Sequence, residues 1–155
     1  MLEIGIAEGS SILTWRDYFP YATIYAIDLQ IPDRVQNLER IRCNVADQSK
    51  SNQLEDVMQT WNKPMFDIIL DDGGHSVKQQ RTSIETLWKY VKQGGQYIIE
   101  DLHTNIRYFH AVHPHLSVHG TWIDETPTVH ERILSLMGGS KTSFNVPFEE
   151  IDEIR

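Results

Sequence analysis

Phe66-Asp67-Ile68-Ile69-Leu70-Asp71-Asp72-Gly73-Gly74-His75 runs from a short, mostly apolar stretch straight into an acidic pair, a glycine pair and a histidine. Further on, Tyr97-Ile98-Ile99-Glu100-Asp101 repeats the first half of that pattern. Short apolar runs of this kind read as buried parallel strands. The residues between them, 76 to 92, read as one helix. Ser76 with Gln79 fits a capping box, Val77, Ile84, Leu87, Trp88 and Val91 form an apolar face, and Gly94-Gly95 is expected to end the helix. A strand, a helix and a strand joined by a right-handed crossover lie side by side in parallel, so both acidic pairs leave the sheet at the same edge. That carboxyl-terminal edge is where open α/β sheets bind ligands. Clustered carboxylates repel one another unless a cation sits among them, and the pattern therefore points to a divalent metal.

The chain before this unit supplies the rest of such a sheet. Leu2-Glu3-Ile4-Gly5-Ile6 reads as a first strand, and Ala7-Glu8-Gly9-Ser10-Ser11 as a turn opening a helix that runs to about Phe19. Gly5 and Gly9 let backbone approach a ligand closely, and Ser10 or Ser11 can cap the helix, whose first amides favour a negative group. Thr23 to Asp28 is a second strand bounded by Pro20 and Pro32. A glycine turn after strand one and a carboxylate at the tip of strand two is an arrangement that holds a nucleoside, with Asp28 on the ribose hydroxyls. As a helix cap or turn acid, Asp28 would need no ligand. Pro32 is expected to start a short helix to about Arg40, and Ile41 to Val45 gives strand three. Asp47 and Gln48 beyond it suit an adenine edge or, equally, ordinary turn chemistry. Leu54, Val57, Met58 and Trp61 mark the buried stripe of a helix over residues 51 to 61.

After the second acidic pair the signals weaken. Leu102 to Trp122 carries five histidines without a clear period and reads as a loop or lid. Thr126-Pro127 introduces a last helix over residues 127 to 137, ended by Gly138-Gly139, and residues 150 to 155 resemble the start of a further strand. The whole is one domain with core 1–101, lid 102–122 and a last helix with an incipient strand over 123–155. Five strands alternating with helices make a doubly wound, Rossmann-like α/β sheet, with strands one and four expected as neighbours. The chain starts inside a strand and stops as an element begins, so it is expected to be trimmed at both ends.

Composition narrows the partners. At 155 residues, with 40% hydrophobic and 10% aromatic content, the chain can bury a proper core. A net charge of −8 argues against a basic nucleic-acid surface or attraction to acidic membranes and favours a small-molecule ligand. The one cysteine, Cys43, lies in strand three and reads as a small hydrophobe. The absence of a signal-like start makes the cytoplasm the expected setting. Homo-oligomer formation is left open.

The run Glu3 to Ser11, then Asp28, then Asp71-Asp72-Gly73-Gly74-His75 and Ile99-Glu100-Asp101-Leu102 resembles the class I S-adenosylmethionine-dependent methyltransferases. More narrowly, it is similar to the metal-dependent sugar O-methyltransferases of macrolide and polyketide biosynthesis, with which the so-named cephalosporin hydroxylases share sequence features. The similarity reaches to about residue 104, and the acidic-histidine motif with its E-D partner is its most specific part. The resemblance implies S-adenosylmethionine and magnesium or manganese as cofactors. It implies Asp72, Glu100 and Asp101 as metal ligands, His75 as general base, and Gly5, Gly9, Ser11, Asp28, Asp47 and Gln48 around the cofactor. Gly74 stands where the family usually has serine. The family also closes its sheet with a further antiparallel pair of strands and carries an extra N-terminal region.

The chemistry can be reasoned without the resemblance. An acceptor hydroxyl must be positioned and made anionic; a bound cation lowers its pKa, and an all-oxygen site suits magnesium, calcium or manganese rather than zinc. His75 follows Asp72 by three residues and can accept the proton. Asp71 could contact cofactor, hold His75 or complete the turn. His103 is a second candidate base, whereas His110, His113, His115, His119 and His130 read as loop or surface residues. The expected function is magnesium-dependent O-methylation of a small hydroxylated metabolite such as a glycoside. Two alternatives stay open: a dinucleotide-dependent oxidoreductase, which leaves the acids unexplained, and a non-catalytic cofactor-binding or assembly module.

Overall fold

The computed structural model describes residues 1–106 and 122–137. Five strands, β1 (Leu2–Ile4), β2 (Ile24–Asp28), β3 (Ile41–Val45), β4 (Phe66–Asp71) and β5 (Val91–Ile99), form one parallel sheet in the order β3-β2-β1-β4-β5. Strands one and four are neighbours as expected, so the order reverses between them and opens a crevice above their carboxyl ends. Four helices accompany the sheet among the described residues: α1 (Ser10–Tyr18), α2 (Ser51–Thr60), α3 (Val77–Leu87) and α4 (Val129–Met137).

Alternation in the strands sets the two faces. Leu2, Ile4 and Ile27 join Leu54 and Met58 of α2 and Leu87 of α3 in one buried cluster, whereas Ile24 and Ala26 join Ile12 of α1, Val35 and Ile41 in another. A third cluster, built on Val77, Ile84 and Val129, seats α4 against α3. Half-buried Cys43 packs against the second of these, as its place in strand three suggested. No helix among the described residues is long and apolar enough to cross a membrane.

Hydrogen bonds carry the sheet past its strand ends and fix the loops at the ligand edge. Gly5 N donates to Ile27 O at 2.8 Å, Asp72 N to Ile4 O at 2.9 Å and Glu100 N to Asp71 O at 2.9 Å. The three loops that follow β1, β4 and β5 are thereby tied to one another before any side chain is considered.

Three local expectations need correction. The helix after the acidic motif starts at its Ser76–Gln79 capping box as read, but it ends at Leu87 and passes through a 3₁₀ turn, Trp88–Tyr90, into β5. Gly94-Gly95 therefore lies inside the strand and does not end the helix. Pairing jumps from Phe66↔Val91 to Ile68↔Gln96, so residues 92 to 95 bulge out, with Gly94 at φ 75° and Lys92 paired to Asp67 at 2.9 Å across the irregularity. Just before the bulge Val91 is paired with Phe66, and the Tyr90 hydroxyl donates to Glu55 at 2.8 Å. Second, neither Ser10 nor Ser11 caps α1; Gly9 occupies the cap position in a left-handed conformation without a side-chain bond. Third, Pro32 leads into a 3₁₀ turn of Asp33–Val35 and not a helix to Arg40. Leu102–Asn105 forms a further 3₁₀ turn. The expected lid and its histidines between residues 107 and 121, and the further strand, lie outside the described residues.

Candidate active site

A pocket of about 360 Å³ opens at the carboxyl edge of the sheet, walled by the loop after β1, by Asp28 and Leu29, by Asp47 and Gln48, and by Asp72, Gly73 and Gly74. Its volume lies in the usual range for a small-molecule site. Of the six residues expected around a cofactor, Gly5, Ser11, Asp28, Asp47 and Gln48 line it; Gly9 does not. Gly9 is buried behind the wall, where a Cβ would press on Val35, so its lack of a side chain serves packing. Gly5 serves packing as well: at φ 81°, its missing Cβ is what lets the β1 loop lie against the backbone of Asp72 and Gly73.

The polar side chains of this pocket are already organised by partners far away in sequence. Asp28 Oδ2 accepts from Ile6 N at 2.7 Å and Ala7 N at 3.2 Å, and its Oδ1 accepts from Leu29 N at 2.6 Å. It is the post to which the first loop is tied, in addition to facing the pocket. Asp47 turns its own chain, accepting from Ser49 N at 2.8 Å. The Gln48 side chain, which lines the pocket, is only 6% exposed. Its Nε2 donates to Asp71 Oδ1 and Ser83 Oγ, both at 3.0 Å, and its Oε1 accepts from Gly74 N at 2.5 Å. The amide is spent on bracing the acidic loop.

Asp71 is the centre of that brace. It is 1% exposed, and besides Gln48 it accepts from the Tyr97 hydroxyl at 3.4 Å. Of the three roles open to it in the sequence, completing the turn is the one it fills. Burial pushes its carboxyl up to about 7, against the opposing hydrogen bonds from Gln48, Gly73 N, Ser83 and Tyr97. The folded chain thus holds this proton more tightly than the unfolded chain, where the value is about 3.9. The stabilisation is fully present below pH ~4 and is lost as pH rises through about 7. Melting the wild-type chain and Asp71→Asn from pH 4 to 8 should therefore show the wild type losing stability relative to the variant, by at most roughly 1.4 kcal/mol per pH unit. Parallel curves would contradict it.

Glu3 is the residue that motif reading passed over. It faces the α1 side of the sheet at 1% exposure and lines the same pocket. Ser11 Oγ donates to its Oε1 at 2.5 Å, while Oε2 is buried without a hydrogen-bond partner of good geometry. Burial raises its pKa; Ser11 and the nearby Trp15 indole oppose this, and the charges of Asp72 and Glu100 add to it. The signal was an acid at the centre of an otherwise apolar strand, a placement that is costly unless something polar meets it.

Beside this pocket lies the acidic cluster. Ligand atoms of Asp72, His75 and Asp101 all come within 4.8 Å of one another. His75 Nε2 stands 3.4 Å from Asp101 Oδ2, and His103 Nδ1 stands 3.6 Å from Asp101 Oδ1. Asp101 adopts φ 53°, a left-handed conformation rare for a residue with a side chain, and such strain gathers at functional sites. Glu100 is outside the converging set, although it is near enough that Asp72 and Asp101, after burial itself, raise its pKa. The pKa of Asp72 is likewise raised, first by partial burial and then by Asp101, with His75 opposing. Carboxylates held in mutual repulsion make an oxygen donor set that fits a hard divalent cation.

The chain is 35% identical over 111 residues to mycinamicin VI 2''-O-methyltransferase of Micromonospora griseorubida, a match covering 67% of this chain and 27% of that protein. A Streptomyces olivaceus tetracenomycin-C rhamnosyl 3'-O-methyltransferase is 35% identical over 111 residues, with 67% and 28% covered. The MycE methyltransferase of the mycinamycin pathway, solved in complex with Mg and SAH, superposes with a TM-score of 0.70 at 30% identity, covering 88% of this chain and 37% of that one. The chain thus spans about a quarter of the length of the curated relatives it matches. The family described as a methyltransferase domain matches residues 2–102. Since that stretch contains all five strands whose ends build the pocket and the acidic cluster, the chain belongs to the methyltransferase domain family.

Proposed function

We propose that this chain is the catalytic domain of an S-adenosylmethionine-dependent, magnesium-dependent O-methyltransferase acting on a hydroxyl of a small metabolite, a glycoside by analogy with the relatives. The convergence of Asp72, His75 and Asp101 beside the glycine-walled pocket is the observation that carries this reading. In the pocket, Asp28 would meet the ribose hydroxyls, Asp47 the adenine side, and the unpartnered oxygen of Glu3 the donor's ammonium group. S-adenosylmethionine supplies a methyl group on sulfonium, which needs only an in-line nucleophile.

Asp72 and Asp101 would hold the ion, with Glu100 close by as a third carboxylate. When bound, a divalent ion would supply Lewis acidity that lowers the pKa of an acceptor hydroxyl and orients it. His75 takes up the hydroxyl proton at Nε2, and the Asp101 carboxylate 3.4 Å away steadies the imidazolium that results. The side chain of His75 is only partly exposed, which limits competition from bulk water.

Calorimetry with S-adenosylmethionine, with NAD, and with magnesium present or absent tests the reading. Binding of the methyl donor and of magnesium, without binding of NAD, is expected. Asp72→Asn should raise the magnesium concentration needed for methyl transfer by about tenfold or more and leave donor binding intact. Unchanged magnesium dependence in that variant would remove Asp72 from the ligand set.

A further inference from the structure

Behind the acidic cluster lies a polar group that the chemistry above does not use. Gln80 of α3 and Thr104 and Asn105 of the 3₁₀ turn are 0%, 1% and 0% exposed. Buried polar side chains are retained only when satisfied, and these satisfy one another and three backbone carbonyls. Gln80 Nε2 donates to Glu100 O at 3.1 Å. Thr104 Oγ1 lies 2.8 Å from Asp101 O and 3.0 Å from His75 O, and shares its proton between them. Asn105 Nδ2 donates to Gln80 Oε1 at 2.9 Å and reaches His75 O at 3.3 Å, while its Oδ1 accepts from Val129 N, the first residue of α4, at 3.2 Å.

The carbonyls gripped in this way belong to His75, Glu100 and Asp101. These residues sit on two loops that, among the described residues, the sheet joins at this point by the bond from Glu100 N to Asp71 O. Nothing in the bond from Asp72 N to Ile4 O sets the spacing between Asp72 and Asp101. The Gln80–Thr104–Asn105 bracket fixes His75, three residues beyond Asp72, against Glu100 and Asp101, because it touches both loops at once. It also holds Asp101 in its left-handed conformation, which local preference alone disfavours.

We propose that Gln80, Thr104 and Asn105 are positioning residues that pre-form the ion site, and that α4, which supplies no ligand, takes part in that site through Asn105. The proposal rests on the ion-site reading above. Groups behind a metal's ligands commonly change affinity by 10- to 100-fold when removed.

The test uses the full chain and Mn²⁺ as a calorimetric and paramagnetic probe. Thr104→Val removes only the hydroxyl, Thr104→Ser retains it, and Gln80→Met removes a separate bond to Glu100. Thr104→Val and Gln80→Met should each weaken Mn²⁺ binding by about tenfold with S-adenosylmethionine binding unchanged, and Thr104→Ser should bind Mn²⁺ as the wild type does. If the folded Val and Met variants bind Mn²⁺ normally, or if Ser binds as weakly as Val, the proposal is overturned while the ion site stands. Loss of folding in both variants also overturns it, because the bracket is then a stability element. A wild-type chain that binds S-adenosylmethionine but no Mn²⁺ overturns the ion site and the bracket's role together.

Discussion

Replacing His75 with alanine should slow methyl transfer by about a hundred- to ten-thousand-fold, the usual contribution of a positioned general base. Binding of S-adenosylmethionine should be unchanged. The separation follows from geometry: His75 belongs to the acidic cluster and is not among the residues that wall the donor pocket. A single-turnover assay beside calorimetry reads the two quantities independently. A parallel loss of donor binding would mean that the imidazole holds the loop and does not move a proton. His103 is the built-in comparison, because its Nδ1 stands 3.6 Å from the same carboxylate that His75 Nε2 approaches to 3.4 Å. If His103→Ala proves the more damaging change, the proton acceptor is His103.

The second large effect concerns stability. Gly5→Ala should cost roughly 2–5 kcal/mol, combining about 1–2 kcal/mol for a left-handed alanine with about 1–3 kcal/mol for overpacking. Gly5 sits at φ 81°, and a Cβ there would collide with Gly73 Cα and the Asp72 carbonyl oxygen. Both obstacles are backbone, so no side chain can swing away to make room. Gly94→Ala is the control: it has a similar φ of 75° and nothing within 4 Å of the added carbon. It should therefore cost only the backbone part, about 1–2 kcal/mol. Denaturant unfolding of the two variants measures the difference, and equal losses would show that the β1 and β4 loops are not packed against each other as described. Because the displaced backbone belongs to Asp72 and Gly73, Gly5→Ala should also weaken ion and donor binding in whatever protein remains folded.

These two residues also mark how differently the features of the site are written. Gly5 and His75 are both legible as motif members; Gly5 lines the pocket, and the structure adds that its missing Cβ makes room for another loop. Asp28 was legible as a strand-tip acid, and its four backbone donors were not. For Gln48 the sequence leaves a ligand edge and turn chemistry open, and its amide bonds inward because Asp71, Ser83 and Gly74 come within reach once the sheet is assembled. Gly94-Gly95 carries the sequence signature of a helix stop, but the pairing of Val91 with Phe66 places it inside a strand.

By itself, the sequence determined the alternation of strands and helices, the neighbourhood of strands one and four, and the emergence of both acidic pairs at one edge. Each of these follows from local rules: periodicity, capping and the right hand of the crossover act between residues close in the chain or constrain topology directly. Tertiary structure alone decided which polar groups face the pocket and which brace it. The bonds from Gln48 to Asp71 and Ser83 and from Thr104 to His75 span 23, 35 and 29 residues. A buried polar atom must bond to whatever the packed elements bring beside it, and that neighbour exists only after the helices have closed on the sheet.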